Sequence, residues 1–523
     1  MSPEVLIAVL VAGIIVLTPL ADRLRVPFPV LLTLFGLAVP LIPGVPNLSI
    51  EPDLILPLVL PPLLFAATQR ATAREFRENA RPILLLAVGL TVASAAAVAV
   101  LAHGAGLGWG AAAVLGAVVA PPDPVAATAV ARRLRLPGRL VTILEGEGMF
   151  NDATALVLYN VAVAAVVAGA VTAGELGISL VLAVGVGVGL GLAAGVLTRF
   201  ALARLHAAAA ETTLTVAVPF AVYLGADQLR GSGVLAVLTL GLYLRSYAHH
   251  ALTSEGWLLG RAVWRYADYL ITSLVFVFIG FELTEILRTS PDRSTALALA
   301  AWTCAVLIAV RFAWVLGTSA LFGRRRRRSV AVPIGGREAV VTSWAGMRGV
   351  VTVATALAIP AAVSSGAAFP GRDSIVVVAL VTVLVTLVLQ GLTLAPLVRW
   401  LRVGSSDDGA DERRTLRRRA IRAVLDALDG PTGAAYPDRV RQAVRLQYEG
   451  YLAAQDAIGT ARRGSVQDEG DTGDDEAVGR LLRAVSEVER AVVLDARGEG
   501  VVSPDVADEV LDEVERRALR QLE

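Results

Sequence analysis

In the stretch ILEGEGMFNDATALVLYN, residues 143–160, Glu145, Glu147, Asn151 and Asp152 fall inside one of the longest apolar runs of the chain. An ionisable side chain at the centre of a membrane span costs about 2.5 to 3.5 kcal/mol on insertion scales, so each is a functional group or half of a structural pair. At 100° per residue, Glu145 and Asp152 share one helix face, while Glu147 is turned well away from Asp152. Asp152 and Glu147 are therefore expected to meet different neighbours. Asn151 adds a neutral donor and acceptor beside Asp152.

A second interruption, LGAVVAPPDPVAATAV, surrounds Asp123 with Pro121, Pro122 and Pro124. Proline removes backbone donors and clashes with the preceding turn, so this helix should break near mid-membrane. Broken backbone is tolerated there only where it lines a cavity or is buried in protein. The freed carbonyls and the Asp123 carboxylate are hard oxygen ligands for a small cation, as in the discontinuous helices of secondary transporters. Two arginines can balance the buried acids: Arg311 in AVLIAVRFAWVLG, and Arg348 in SWAGMRGVVTVATALAIP, flanked by Gly346 and Gly349. Arg311 is expected to be structural rather than ion-carrying, because removing one partner of a buried pair is costly. Glu282, in FVFIGFEL, either snorkels to the interface or stands at an entrance.

These residues need a membrane around them, and the composition supplies one. Of 523 residues, 55% are hydrophobic and 18% charged, where soluble domains run nearer a quarter charged. The net charge of +1 gives no case for a nucleic-acid partner, and every fixed positive charge is an arginine, since the chain has no lysine. A single cysteine, Cys304, excludes an internal disulfide and a cysteine-built metal site. The four histidines, His103, His206, His249 and His250, lack the spacing of a zinc site, and the last two read as solvated loop residues.

A spanning helix needs about 20 mostly apolar residues. About thirteen candidates are expected, near 3–20, 27–43, 52–68, 82–104, 110–131, 140–170, 176–203, 210–226, 231–246, 264–287, 295–322, 338–364 and 374–401. The first has its arginines, Arg23 and Arg25, after it, the reverse of a secretory signal, so it reads as a retained span. Alternate loops are rich in arginine, including Arg132, Arg133, Arg135 and the run Arg324 to Arg328, while those between carry almost none. The positive-inside rule then puts the N-terminus outside and the C-terminus in the cytoplasm, with the arginine run as a topology anchor. VGVGVGLGLAAG, residues 184–195, sits mid-span with no strand before it and reads as small residues that let helices approach closely.

After residue 403 the composition turns charged. Four stretches of helical periodicity follow, with Ser503 and Pro504 as N-cap and first helical position, and RGSVQDEGDTGDDE as an acidic linker. The expected division is a transmembrane domain over 1–403 and a cytosolic helical tail over 404–523. The tail has no phosphate loop, dinucleotide fingerprint or nucleophile elbow, and no catalytic constellation points to an enzyme.

Taken in order, LPPLLFAAT, PPDPVAATAVARRL, LEGEGMFNDATALVLY, SGVLAV, WAGMRGVV and LVTLVLQGLTLAPLVRWL resemble the motifs of the monovalent cation:proton antiporter superfamily, first branch. These are the sodium/proton exchangers of the bacterial NhaP and animal NHE kind. The resemblance implies an all-α polytopic membrane protein of about thirteen transmembrane helices. Two inverted six-helix repeats are joined by the seventh helix, and broken helices cross at the fifth and twelfth. It implies a homodimer in a bacterial plasma membrane that exchanges Na⁺, with Li⁺ or K⁺ as alternatives, for H⁺, without a cofactor. By the same resemblance Asp152 is the ion- and proton-binding carboxylate, Asn151 its neutral companion, and Asp123 and the Pro122 carbonyl further site groups. Glu147 matches the acid that pairs with the arginine of the eleventh helix, Arg311, and Arg348 matches the arginine of the twelfth; Glu145 is a further buried charge. Three positions depart from the family: Pro122 where threonine is frequent, Gly148 where serine is common, and Ala66 where some members carry an acid. Fewer protein oxygens leave room for water or a larger ion, so selectivity between Na⁺ and K⁺ stays open, as does a passive channel or sensor on the same fold.

Overall fold

The computed structural model describes residues 2–24, 26–43, 45, 52–69, 80–123, 127–128, 131, 136, 138–168, 173–248, 251–289, 293–325, 336–403, 408–457 and 472–520. Pro124, Arg132, Arg133, Arg135, His249, His250 and Arg326 to Arg328 lie outside the described residues. So does most of the acidic linker.

The apolar part is a succession of helices: α1 (Pro3–Leu24), α2 (Phe28–Ala38), α3 (Pro52–Thr68), α4 (Ala80–Gly104), α5 (Trp109–Val119), α6 (Gly138–Ala168) and α7 (Ala173–Leu202). Then come α8 (Ala208–Gln228), α9 (Gly233–Tyr247), α10 (Ser254–Thr289), α11 (Arg293–Arg325), α12 (Gly336–Trp344), α13 (Val350–Leu357) and α14 (Arg372–Leu401). Among the described residues, eight helices are long and apolar enough to cross a membrane, and four shorter apolar helices accompany them. The large side chains left bare are those of a lipid-facing surface: Val181 is 71% exposed, Leu197 69% and Ile15 65%. Water would not tolerate so large an apolar surface. Of the eight, α14 is the most enclosed, with 67% of its apolar stretch buried against 22% for α1 and α7.

Small residues set the close contacts. At Gly191 of α7 a Cβ would run into the Ala236 carbonyl of α9, so the glycine lets the two backbones meet. In α4 the turns over Leu85–Leu90 widen to π geometry, and the freed Leu85 carbonyl accepts the indole N–H of Trp314 from α11 at 3.1 Å.

Two helices are interrupted. Residues 120–123 leave helical geometry where Pro121 and Pro122 withdraw two consecutive N–H donors. Residues 345–349 leave it between α12 and α13, across Gly346 and Gly349. The two breaks touch: the Asp123 N–H donates to the Met347 carbonyl at 2.6 Å.

Beyond α14 lie α15 (Asp408–Asp429), α16 (Asp438–Ala457), α17 (Thr472–Gly498) and α18 (Pro504–Arg520). Val424, Val444, Tyr448 and Leu481 pack into one apolar core. Val506, Val510 and Val514, four residues apart on one face of α18, pack with Leu416, Val493 and Trp257 of α10 in another. Ion pairs rim this contact: Arg245 with Asp508 at 2.8 Å, Arg261 with Asp512 at 3.0 Å, and Arg497 with Asp508 at 3.1 Å.

Candidate functional site

The two faces of α6 carry different chemistry. Glu145 and Asp152 border a cavity of about 70 Å³ beside the crossing of the two broken helices. Asp123, Thr128, Asp268, Thr272 and Thr352 add its other polar side chains. Leu60, Leu64, Met149 and Val350 give it apolar walls. A single water needs roughly 10–15 Å³ on this measure, so the cavity has room for a cation with a few waters.

Glu147 faces the other way. Arg311 of α11 grips it with both arms of the guanidinium, Nη1 to Oε1 at 2.5 Å and Nη2 to Oε2 at 2.9 Å, and each partner is 2% exposed. The Arg311 Nε donates to the Thr342 carbonyl at 3.1 Å at the end of α12. One bidentate pair thus joins α6, α11 and the second broken helix.

Arg348 has a different occupation from the one its charge suggested. Its hydrogen bonds go to carbonyls rather than to an acid: Nε to Val119 at 2.9 Å, Nη2 to Ala120 at 3.2 Å, and Nη1 to Gly346. The last carbonyls of a helix have no intrahelical partner and carry partial negative charge. Arg348 therefore caps α5 where the prolines end it, and its own N–H is held by Thr386 Oγ1 at 3.0 Å.

Asn151 is fully buried, and its Nδ2 donates to the Pro122 carbonyl at 2.8 Å. This bond ties α6 to the first break, and neither residue is among those lining the cavity. Gly148, where the sequence lacks a hydroxyl, does line it. Gly349 is a contact point: a Cβ there would collide with the Asp123 carboxylate, so glycine fixes how closely the breaks cross.

Asp268 and Thr272 of α10 were not singled out in the sequence. The signal was present in RYADYLITSLVF, an acid entering an apolar run, but nothing in the periodicity joins α10 to α6. A larger cavity of about 290 Å³ adjoins α10 on the tail side, bordered by Glu211, Arg245, Arg261, Arg265 and Asp268, and by Asp505 and Asp508 of α18. Glu211 is fully buried, and its Oε2 accepts from the N–H and hydroxyl of Thr253, each at 3.1 Å.

The chain is similar to a protein of Mycobacterium tuberculosis named as an uncharacterized Na⁺/H⁺ exchanger, 38% identical over 460 residues, 85% of this chain and 83% of that one. A sodium, potassium, lithium and rubidium/H⁺ antiporter of Bacillus pumilus is 28% identical over 437 residues, 77% of this chain and 63% of the relative. In fold it is similar to the sodium proton antiporter MjNhaP1 of Methanocaldococcus jannaschii, with a TM-score of 0.60 at 19% identity, covering 77% of this chain and 99% of that one. Residues 6–400 match the family described as sodium/hydrogen exchanger, transmembrane. With its multi-pass apolar helices, interrupted where two of them cross, the chain belongs to the sodium/hydrogen exchanger family.

Proposed function

We propose that the protein exchanges a monovalent cation for H⁺ across the membrane, and that the Asp152 carboxylate holds either the cation or the proton but not both. The observation that carries this is the sorting of acids on α6. Glu147 is consumed by Arg311, whereas Asp152 borders a cavity shared with Asp123. A carboxylate with two exclusive occupants is sufficient for exchange. Asp123, at the first break, supplies further oxygens for a hard cation. Only the occupied, charge-neutral site crosses, in an alternating-access cycle about the crossed breaks. One cation against one proton makes the cycle electroneutral, in keeping with a neutral Asn151 beside Asp152 and the absence of lysine from the chain.

The wider frame belongs to the same reading. It has thirteen crossings in two inverted repeats, a homodimer in a bacterial plasma membrane, the N-terminus outside and the C-terminus within. Residues 1–403 form the transport domain and 404–523 a cytosolic regulatory tail. Na⁺ is the first candidate cation. A broader choice that includes K⁺ is favoured by Gly148, which borders the cavity without offering a hydroxyl.

The test is dye-quench transport in proteoliposomes, with Na⁺, K⁺ and Li⁺ each added. Cation-driven proton movement is expected in the parent and none in Asp152→Asn, with the variant still folded. Passive cation flux without proton counterflow would instead make the protein a channel.

A further inference from the structure

Asp268 borders both cavities, and among the described residues it is the one side chain common to the two. On its inner side lies the 70 Å³ cavity of Asp123 and Asp152, and on its outer side the 290 Å³ vestibule beneath α18. Where α3 meets α10 the partition between them is walled mainly by apolar side chains, with Gln69 and Arg265 on its outer edge. Leu64 faces inward and Phe65 outward, and the Phe65 and Trp264 rings pack with centroids 4.6 Å apart. A cation crossing such a partition must give up water, and desolvating an ion without a partner is prohibitively costly. Asp268 places a carboxylate at that point. Thr272, one turn further along α10, lies on the same face and borders the inner cavity. The polar positions of α10 thus step from vestibule to ion site.

We propose that Asp268 is the transfer carboxylate of the tail-side ion route, taking the cation from the vestibule and passing it to the cavity of Asp152. The proposal rests on the reading of Asp152 as the ion-binding group. It makes Asp268 a group that touches the ion in transit but does not hold it during the crossing. Its loss should therefore weaken access from one face only.

The test uses the full-length protein reconstituted in one orientation, assigned by protease access to the tail, with ²²Na⁺ uptake measured from each face. Asp268→Asn should raise the half-saturating Na⁺ concentration on the tail side roughly tenfold, the lower end of what a charge-lined entrance adds to capture. The far-side value should stay unchanged, and Asp268→Glu should recover most of the loss. Raising ionic strength with an impermeant salt should weaken tail-side capture in the parent and have little effect in Asp268→Asn, since screening acts on the charge that was removed. Should Asp268→Asn not be recovered folded, the parent alone decides, by a steeper salt dependence on the tail side than on the far side. Equal effects on both faces, or none, would overturn the proposal. Uptake that survives in Asp152→Asn would instead overturn the reading beneath it.

Discussion

Glu147 and Asp152 are both acids on α6, and their neighbours separate them. Glu147 is held by a guanidinium that reaches it with two hydrogen bonds, so its charge is matched and its oxygens are spent. Removing the arginine leaves a buried carboxylate unmatched, which costs about 3–5 kcal/mol. Arg311→Ala is therefore expected to lower the melting temperature and the yield of folded protein in detergent, whereas Asp152→Asn should melt close to the parent. Equal melting of Arg311→Ala and parent would show that the pair contributes nothing. At this scale much was legible in the sequence. The 100° periodicity alone assigns Glu145 and Asp152 to one face and Glu147 to another. The target of Arg348 was not legible, because it depends on where the carbonyls of Val119 and Ala120 point once the helix has broken. Asp268 was missed for a related reason: its importance comes from two cavities formed by other helices.

Among the elements, the crossing of the two breaks is the feature on which the site depends. Consecutive prolines dictate the first break, and the residue types of PPDP give its position directly. The second, across GMRG, is held by the Asp123–Met347 backbone bond and by the arginine between its glycines. Gly349→Ala places a methyl group against the Asp123 carboxylate and should push the breaks apart. A displacement of about an ångström at a reacting group can cost roughly 100-fold in rate. Exchange should fall by at least an order of magnitude while the helical circular-dichroism signal is kept, and parental transport by Gly349→Ala would refute the tight crossing. Helix limits followed hydropathy where the helix stays within the apolar layer. They departed from it at α10, which begins at Ser254 rather than near 264. The added turns carry Glu255 and Arg261, which take them outside an apolar run, and Trp257 and Arg261 form the surface on which α18 sits.

At the scale of the whole molecule, the last helix is tied to the membrane helices by charge as well as by apolar packing. Burial works against the charged form of Asp508, but Arg245, Arg497 and Arg261 outweigh it and hold its carboxyl below the usual range. A carboxylate with a lowered folded-state pKa adds stability above its unfolded value, near 3.9, and loses it only as pH falls through the lower folded value. Docking of α18 should therefore persist from pH 8 to pH 5. Asp508→Ala should raise amide exchange across 504–520 at neutral pH while leaving α14 protected, and unchanged exchange would show that the pairs do not hold the helix. The pairing of tail acids with Arg245 and Arg261 could not be read from the sequence, since more than 240 positions separate the partners. The central claim concerns one carboxylate with two exclusive occupants, and equilibrium ²²Na⁺ binding to the purified protein across pH tests it most directly. The dissociation constant should rise toward a limit of roughly tenfold per unit of falling pH, with unchanged capacity, as competition at a single group requires, and Asp152→Asn should bind no Na⁺. Binding that is indifferent to pH, or that survives in Asp152→Asn, would contradict the account.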